Sequence, residues 1–252
     1  MKKWLSNGLV IFMFFLVWLL ISSLVNTPLL VPSPTKVLSA FIELIGSTTS
    51  NEAIFHTFFR LLLASTSSFI IGVIGGLLSG FSPFMKAILH PIATVFRTIP
   101  VVSIIVIVLI LLGMRFTPYV ITFLMLFPIS YQATYEGMIR IDSELIDVYH
   151  LDDHHPIRMI RYCILPLIAG YLKTALLQSA GLGIKVLVMA EYLAQTPRSI
   201  GYQLYLEKVF LRYDFVFAWT LLLIVLALLF EFAIHQSKQW LEKKPISDNL
   251  FK

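Results

Sequence analysis

Charge is scarce in this sequence. Only 13% of its 252 residues are Asp, Glu, Lys or Arg, while 58% are hydrophobic; a soluble domain carries about 25% charged residues. A water-soluble fold of this length could not bury so much apolar side chain, so lipid must be the solvent for much of the surface. Cysteine is nearly absent too. Cys163 stands alone, and no internal disulfide can form. No Gly-x4-Gly-Lys-Ser/Thr phosphate loop occurs, which excludes that mode of ATP binding by this chain. The net charge of +5 has no basic patch behind it. Lys and Arg punctuate apolar runs, a pattern of membrane orientation rather than nucleic-acid binding.

What is present is a series of apolar runs. Leu5 to Val25 follows Lys2 and Lys3; it exceeds a signal-peptide h-region and lacks an A-x-A-like site, so it is expected to be a first transmembrane helix. Pro28, Pro32 and Pro34 then break helical structure. Ser33 or Thr35 is placed to cap a short amphipathic helix bearing Val37, Leu38, Phe41, Ile42, Leu44 and Ile45. Further spans are expected at about 54–81, 91–113, 118–137, 163–190 and 214–234. Gly72, Gly76 and Gly80 recur every four residues in the second, a spacing that lets a neighbouring backbone approach. Pro100 interrupts the third span, and a tight turn over 114–117 is expected to lead into the fourth.

Six spans put both termini on one side. With the termini and the loops at 82–97 and 138–162 inside, eleven Lys and Arg lie inside and five outside (Lys36, Arg115, Arg198, Lys208 and Arg212). That bias places both termini in the cytoplasm. The loop at 138–162 is the one long polar stretch within the hydrophobic body. It sets Leu145, Ile146, Val148, Tyr149 and Leu151 among Glu144, Asp147, Asp152 and Asp153. A short amphipathic segment of this kind presents an apolar face that a cytoplasmic partner's groove could cover.

Several ordered motifs lie around that loop. Pro32-Ser-Pro34 opens the first outer segment, and His56-Thr-Phe-Phe-Arg60 begins the second span. His90-Pro91, Arg97-Thr-Ile-Pro100 and Leu112-Gly113 mark the third. Gly181-Leu-Gly-Ile-Lys185, Ala190-Glu191, Ser199-Ile-Gly201 and Phe217-Ala-Trp219 follow the loop. In this order, over nearly all of residues 30–235, the sequence resembles the binding-protein-dependent permeases of type I ABC importers. The similarity is to the branch associated with nitrate, sulfonate, taurine and bicarbonate uptake. The family's loop pattern, E-A-A-x3-G-x9-I-x-L-P, anchors on Leu165-Pro166. Asp147-Val-Tyr149 then falls on E-A-A, Asp153 on the glycine and Cys163 on the isoleucine, so only the acidic character and the Leu-Pro end match.

The resemblance implies an all-α integral membrane fold, a single transmembrane permease domain over 1–252 with six helices of the type I ABC importer permease fold. It implies a translocation path for a small anion such as a sulfonate or nitrate, or for a small organic molecule such as a thiamine precursor. The chain itself would be no enzyme and would hold no cofactor, since ATP would be bound and hydrolysed by a cytoplasmic ATPase dimer. An extracytoplasmic binding protein, a second permease copy and membrane lipid complete the expected partners, with no nucleic acid. Glu144, Leu145, Ile146, Asp147, Val148, Tyr149, Leu151, Asp153, Leu165 and Pro166 would couple to the ATPase.

Charges inside spans are costly and usually face a bundle interior or an aqueous cavity. His56 and Arg60, four residues apart on one helix face, are read either as an anion-attracting wall of the path or as Arg60 reaching outer headgroups. Lys185 is read either as a pathway cation, with Gln178 on roughly the same face, or as half of a structural ion pair. Arg97 joins this candidate path set. His150, His154 and Asp153 have no second ligand cluster, so no metal site is expected. Glu191 and Asp214 lack a nucleophile and a pocket, so no catalytic residue is expected. The competing classes are a stand-alone secondary transporter, which needs internal repeats and mid-membrane carboxylates, and an integral-membrane enzyme.

Overall fold

Apolar runs become long helices here because in lipid every backbone amide and carbonyl must be bonded within its own segment. The computed structural model describes residues 2–25, 27, 30–142, 144–145 and 155–242. The helices are α1 (Lys2–Val25), α2 (Pro34–Gly46), α3 (Thr48–Phe81), α4 (Pro83–Thr98) and α5 (Val101–Met138). After the polar loop come α6 (Pro156–Met159), a π-helical turn (Ile160–Ile164), α7 (Leu165–Leu167), α8 (Ala169–Ala194), α9 (Ile200–Val209) and α10 (Tyr213–Glu242). By length and composition α3, α5 and α8 can cross a membrane, and Phe15–Val25 and Tyr213–Leu229 are shorter apolar stretches.

Contacts along the helices define the topology. The apolar run of α5 reverses at Gly113, whose φ of 73° and ψ of 175° are not helical. Ile104, Ile105 and Val108 consequently share a core with Ile121 and Met125; a straight helix would hold Ile104 and Ile121 about 25 Å apart. The second half of α5 then runs parallel to α3. Gly72, Gly76 and Gly80 lie against Ser130, Thr134 and Met138, so close that an added Cβ would fall 2.6, 2.5 and 2.8 Å from theirs. The offset between partners stays constant down the helices, which only a parallel pair allows. Tyr119 and Tyr131 confirm the parallel direction by donating to Ser67 (2.9 Å) and Ser79 (3.1 Å) at a constant offset of their own. Helix α8 runs antiparallel to both: Gly137 meets Ile168, whereas Gly183 meets Leu61 and Leu126. One end of the bundle therefore gathers residues 56–60, 113–115 and 195–201. The other gathers 80–82 and the two ends of the polar loop.

A second layer flanks this core. Val37, Ala40 and Leu44, spaced along one face of α2, bury Ala53, Ile200 and Trp219. Trp18 of α1 stacks on Phe217 at 5.9 Å. Helix α2 is amphipathic as expected, and Ser33 occupies its N-cap position, although its hydroxyl makes no capping bond and pairs with that of Thr35 at 3.0 Å.

The helix boundaries differ from the expectation in several places. The expected third span is interrupted at Pro100 as anticipated, because Pro100 has no amide to continue the ladder, but its first part belongs to α4, which begins earlier, at Pro83. The turn expected over 114–117 is Gly113 alone, with Met114 already helical. The helix expected from 163 begins at Ala169, after the π-turn. The connection after Glu191 contains α9, which its low amphipathicity hid.

Candidate functional site

Two polar cavities occupy opposite ends of the bundle. The first, about 620 Å³, opens between α4, the second half of α5 and α8, and is lined by Arg97, Gln132, Glu136, Tyr171, Thr174 and Gln178, among others. Arg97 occupies the last turn of α4, where the Pro100 break ends the helix. Gln132 and Glu136 are i, i+4 on α5, and Gln132 Nε2 donates to Glu136 Oε1 at 2.7 Å. The lining thus combines one guanidinium, one carboxylate, two amides and two hydroxyls. Arg97 has no ion-pair partner among the described residues. Such a volume, with few convergent polar groups, suits a small solute.

The second cavity, about 590 Å³, is lined by His56, Arg60, Met114, Arg115, Thr196, Pro197 and Arg198. Behind it stands a buried polar cluster. Glu191 is completely buried and accepts from Arg60 Nη1 at 2.9 Å, from Thr57 Oγ1 at 2.9 and 3.1 Å, and from the Gly201 amide at 3.4 Å. Thr57 Oγ1 also accepts from the Ile200 amide at 3.0 Å, and Arg60 donates to the carbonyls of Pro197 and Arg198. A buried carboxylate is tolerated only when paired and bonded in this way. Glycine is required at 201, because a Cβ there would lie 2.5 Å from that of Glu191. Thr196 Oγ1 donates to the Met114 carbonyl at 2.7 Å, which ties the 195–199 turn to the Gly113 reversal.

The structure therefore divides the sequence-derived path residues. Arg97 and Gln178 line the first cavity, and His56 and Arg60 the second. Arg60 is largely buried and paired with Glu191 at 2.9 Å. Lys185 is exposed on a different, largely apolar groove between α8, α9 and α10, without an acidic partner among the described residues. Gln132, Glu136, Arg115 and Arg198 were not singled out from the sequence. The i, i+4 spacing of Gln132 and Glu136 inside an apolar run was the available signal.

At the loop end, Ile164 and Ile168 are buried with Met138 and Met159, which anchors both ends of the polar loop. Leu145 and Ile157 are 49% and 79% exposed, and Glu144 and Pro166 are also exposed. Leu165 is half-buried. The other coupling candidates, Ile146, Asp147, Val148, Tyr149, Leu151 and Asp153, lie outside the described residues. Among the described residues no cluster of His, Cys, Asp and Glu could hold a metal.

A family model described as "Binding-protein-dependent transport system inner membrane component" matches residues 68–244, from the glycine stripe of α3 to the end of α10. The chain belongs to this family. It is a multi-pass inner-membrane ABC permease with an all-helical fold, and not a member of an enzyme family. Among its relatives, the taurine transport system permease protein of Escherichia coli (strain K12) is 24% identical over 225 residues, covering 86% of this chain and 82% of the relative. The "probable ABC transporter permease protein" of Brucella abortus (strain 2308) is 24% identical over 221 residues, 84% and 86% of the two chains. One of Brucella melitensis is 26% identical over 188 residues, 73% and 74%. Family membership implies a substrate-binding protein and an ATPase as partners.

Proposed function

We propose that this permease imports a small sulfonate-like anion through the 620 Å³ cavity between α4, α5 and α8, driven by ATP hydrolysis in cytoplasmic partner subunits. The observation that carries the reading is Arg97, an exposed guanidinium without an ion-pair partner among the described residues, placed with Gln132, Thr174 and Gln178 on one cavity of an apolar bundle. A guanidinium matches a sulfonate's paired oxygens. Glu136 on the same cavity favours an anion that also carries an ammonium. The Escherichia coli relative is named for taurine transport, and taurine is such an aminosulfonate.

The bundle end bearing 80–82 and the polar loop faces the cytoplasm in this reading, and both termini lie there, as the Lys and Arg bias supports. The exposed apolar side chains of Leu145 and Ile157 then face the ATPase, and the loop from 138 to 162 transmits its closure. Two copies of the chain form the path.

The test is uptake of radiolabelled taurine into proteoliposomes holding the permease, its ATPase and its binding protein. Arg97→Gln should lower uptake about ten-fold or more, Arg97→Lys less, with the binding protein's own affinity unchanged. Leu145→Asp should leave ATP hydrolysis running without uptake. Normal uptake by Arg97→Gln would remove the path assignment, and coupled transport by Leu145→Asp would remove the loop's role.

A further inference from the structure

We propose that the 590 Å³ cavity at the opposite end of the bundle is a second, separate site for a small oxyanion, a sulfonate, sulfate or phosphate group held by Arg115 and Arg198 with His56 at its edge. It shares no lining residue with the cavity of Arg97. It does not depend on the import path proposed above, which enters only in naming its side as extracytoplasmic.

The charge balance at this cavity is the first argument. Three guanidiniums and one imidazole line it, and the one carboxylate behind it is consumed. Glu191 is fully buried and paired with Arg60 at 2.9 Å. Arg115 and Arg198 are exposed and form no ion pair among the described residues. Two uncompensated guanidiniums on one concave surface repel each other, and an oxyanion between them reverses the sign of that interaction. Each offers a planar fork of donors that fits two oxygens of a tetrahedral or trigonal anion.

Rigidity of the supporting backbone is the second argument. Arg115 follows directly on the Gly113 reversal, two residues into the helix that starts there. Arg198 has a left-handed φ of 54°, in a turn fastened on three sides. Thr196 Oγ1 bonds the Met114 carbonyl, Ser199 Oγ donates to the Thr196 carbonyl at 2.7 Å, and Ser199 Oγ accepts the Tyr202 amide at 3.0 Å. Arg60 braces the same turn through the carbonyls of Pro197 and Arg198. The two free guanidiniums are thus mounted on a turn and a helix start that are bonded to each other, so little backbone order remains to be lost when a ligand binds. The volume lies within the range of about 300–1,000 Å³ common for small-molecule sites, enough for an oxyanion with a short organic group.

An oxyanion at this place has two sources, a free solute anion or the phosphate of an anionic lipid, and the experiment separates them. The permease–ATPase complex is placed in nanodiscs of phosphatidylcholine, and sodium sulfate is titrated at constant ionic strength by calorimetry. Saturable binding is expected that survives Arg97→Gln. Arg115→Gln and Arg198→Gln should each weaken it about ten-fold, and Arg115→Lys should weaken it less than Arg115→Gln. Unchanged thermal midpoints confirm that these exposed substitutions fold. In phosphatidylglycerol discs, an unchanged sulfate affinity assigns the site to a free solute. An affinity that falls with the phosphatidylglycerol fraction, and no longer does so in Arg115→Gln, assigns it to a lipid phosphate. Both results keep the oxyanion site. Absence of saturable sulfate binding, or wild-type affinity in both Gln variants, overturns the proposal. So does loss of sulfate binding in Arg97→Gln alone. If Arg115→Glu abolishes association with the binding protein while the wild type takes up no sulfate, the cavity is a protein contact and the proposal is equally overturned.

Discussion

Replacing Glu191 with Gln keeps the side chain's shape and removes its charge, which isolates the electrostatic part of the buried cluster. The native carboxylate accepts from Arg60, Thr57 and Gly201 with no exposure of its own. In Glu191→Gln the amide nitrogen must face one of these donors, and Arg60 keeps its charge without a counter-ion. Breaking a buried ion pair by removing one partner costs about 3–5 kcal/mol. The Arg60 side chain is 19% exposed and can regain some hydration, so the lower end, about 3 kcal/mol, is expected. For a chain of this size each kcal/mol moves the midpoint by about 2–4 °C, which gives a fall of roughly 6–12 °C. The assay is thermal unfolding of the purified permease in detergent, run as a cycle with Arg60→Gln and the double variant. A coupling energy above about 1.5 kcal/mol is expected, since neighbours sharing an ion pair are not additive. A midpoint shift under about 2 °C together with coupling below about 0.5 kcal/mol would refute the reasoning, because Glu191 and Arg60 would then be stable without each other.

Gly113→Ala meets no side chain, yet its φ of 73° and ψ of 175° belong to a region almost confined to glycine, so a loss of about 1–3 kcal/mol is expected in the same unfolding assay. Gly76→Leu should be worse, because even its Cβ would sit 2.5 Å from that of Thr134 and 2.7 Å from the Tyr131 carbonyl; loss of folded protein on size-exclusion chromatography checks this. Burial pushes the Glu207 carboxyl above its usual range, and Arg212 at 3.4 Å offsets only part of that. A raised carboxyl favours the protonated form in the folded state, so its cost is absent below the unfolded carboxyl pKa and grows as pH rises toward the folded one. The midpoint difference between Glu207→Gln and wild type should therefore increase from pH 4 to pH 7; a constant difference would contradict the shift.

Much of the fold was legible because lipid makes strong demands. Apolar run length, proline breaks and the four-residue glycine spacing are local signals, and α2, α3 and the close packing along Gly72, Gly76 and Gly80 could be read from them. The reversal at Gly113 was placed a few residues late, since Met114 to Thr117 carries both helix and turn residue types and only the backbone angle separates them. Charge within spans marks Arg97 and Arg60 alike and cannot say which of them is neutralised. Glu136 lies inside the span expected over 118–137, and what makes it part of a site, the cavity it shares with Arg97 of α4, is set by packing between helices.

The sequence by itself determined the solvent, the helical class and, through its ordered motifs, the family. Each of these depends on composition or on neighbours within a few residues. Only the tertiary structure decided the pairing of Arg60 with Glu191, 131 residues apart, and so left Arg115 and Arg198 in one cavity, and Arg97 in the other, without an ion-pair partner among the described residues. The physical reason is that a charge is neutralised by whatever lies a few ångströms away in space, and in a bundle of parallel and antiparallel helices those neighbours come from other helices.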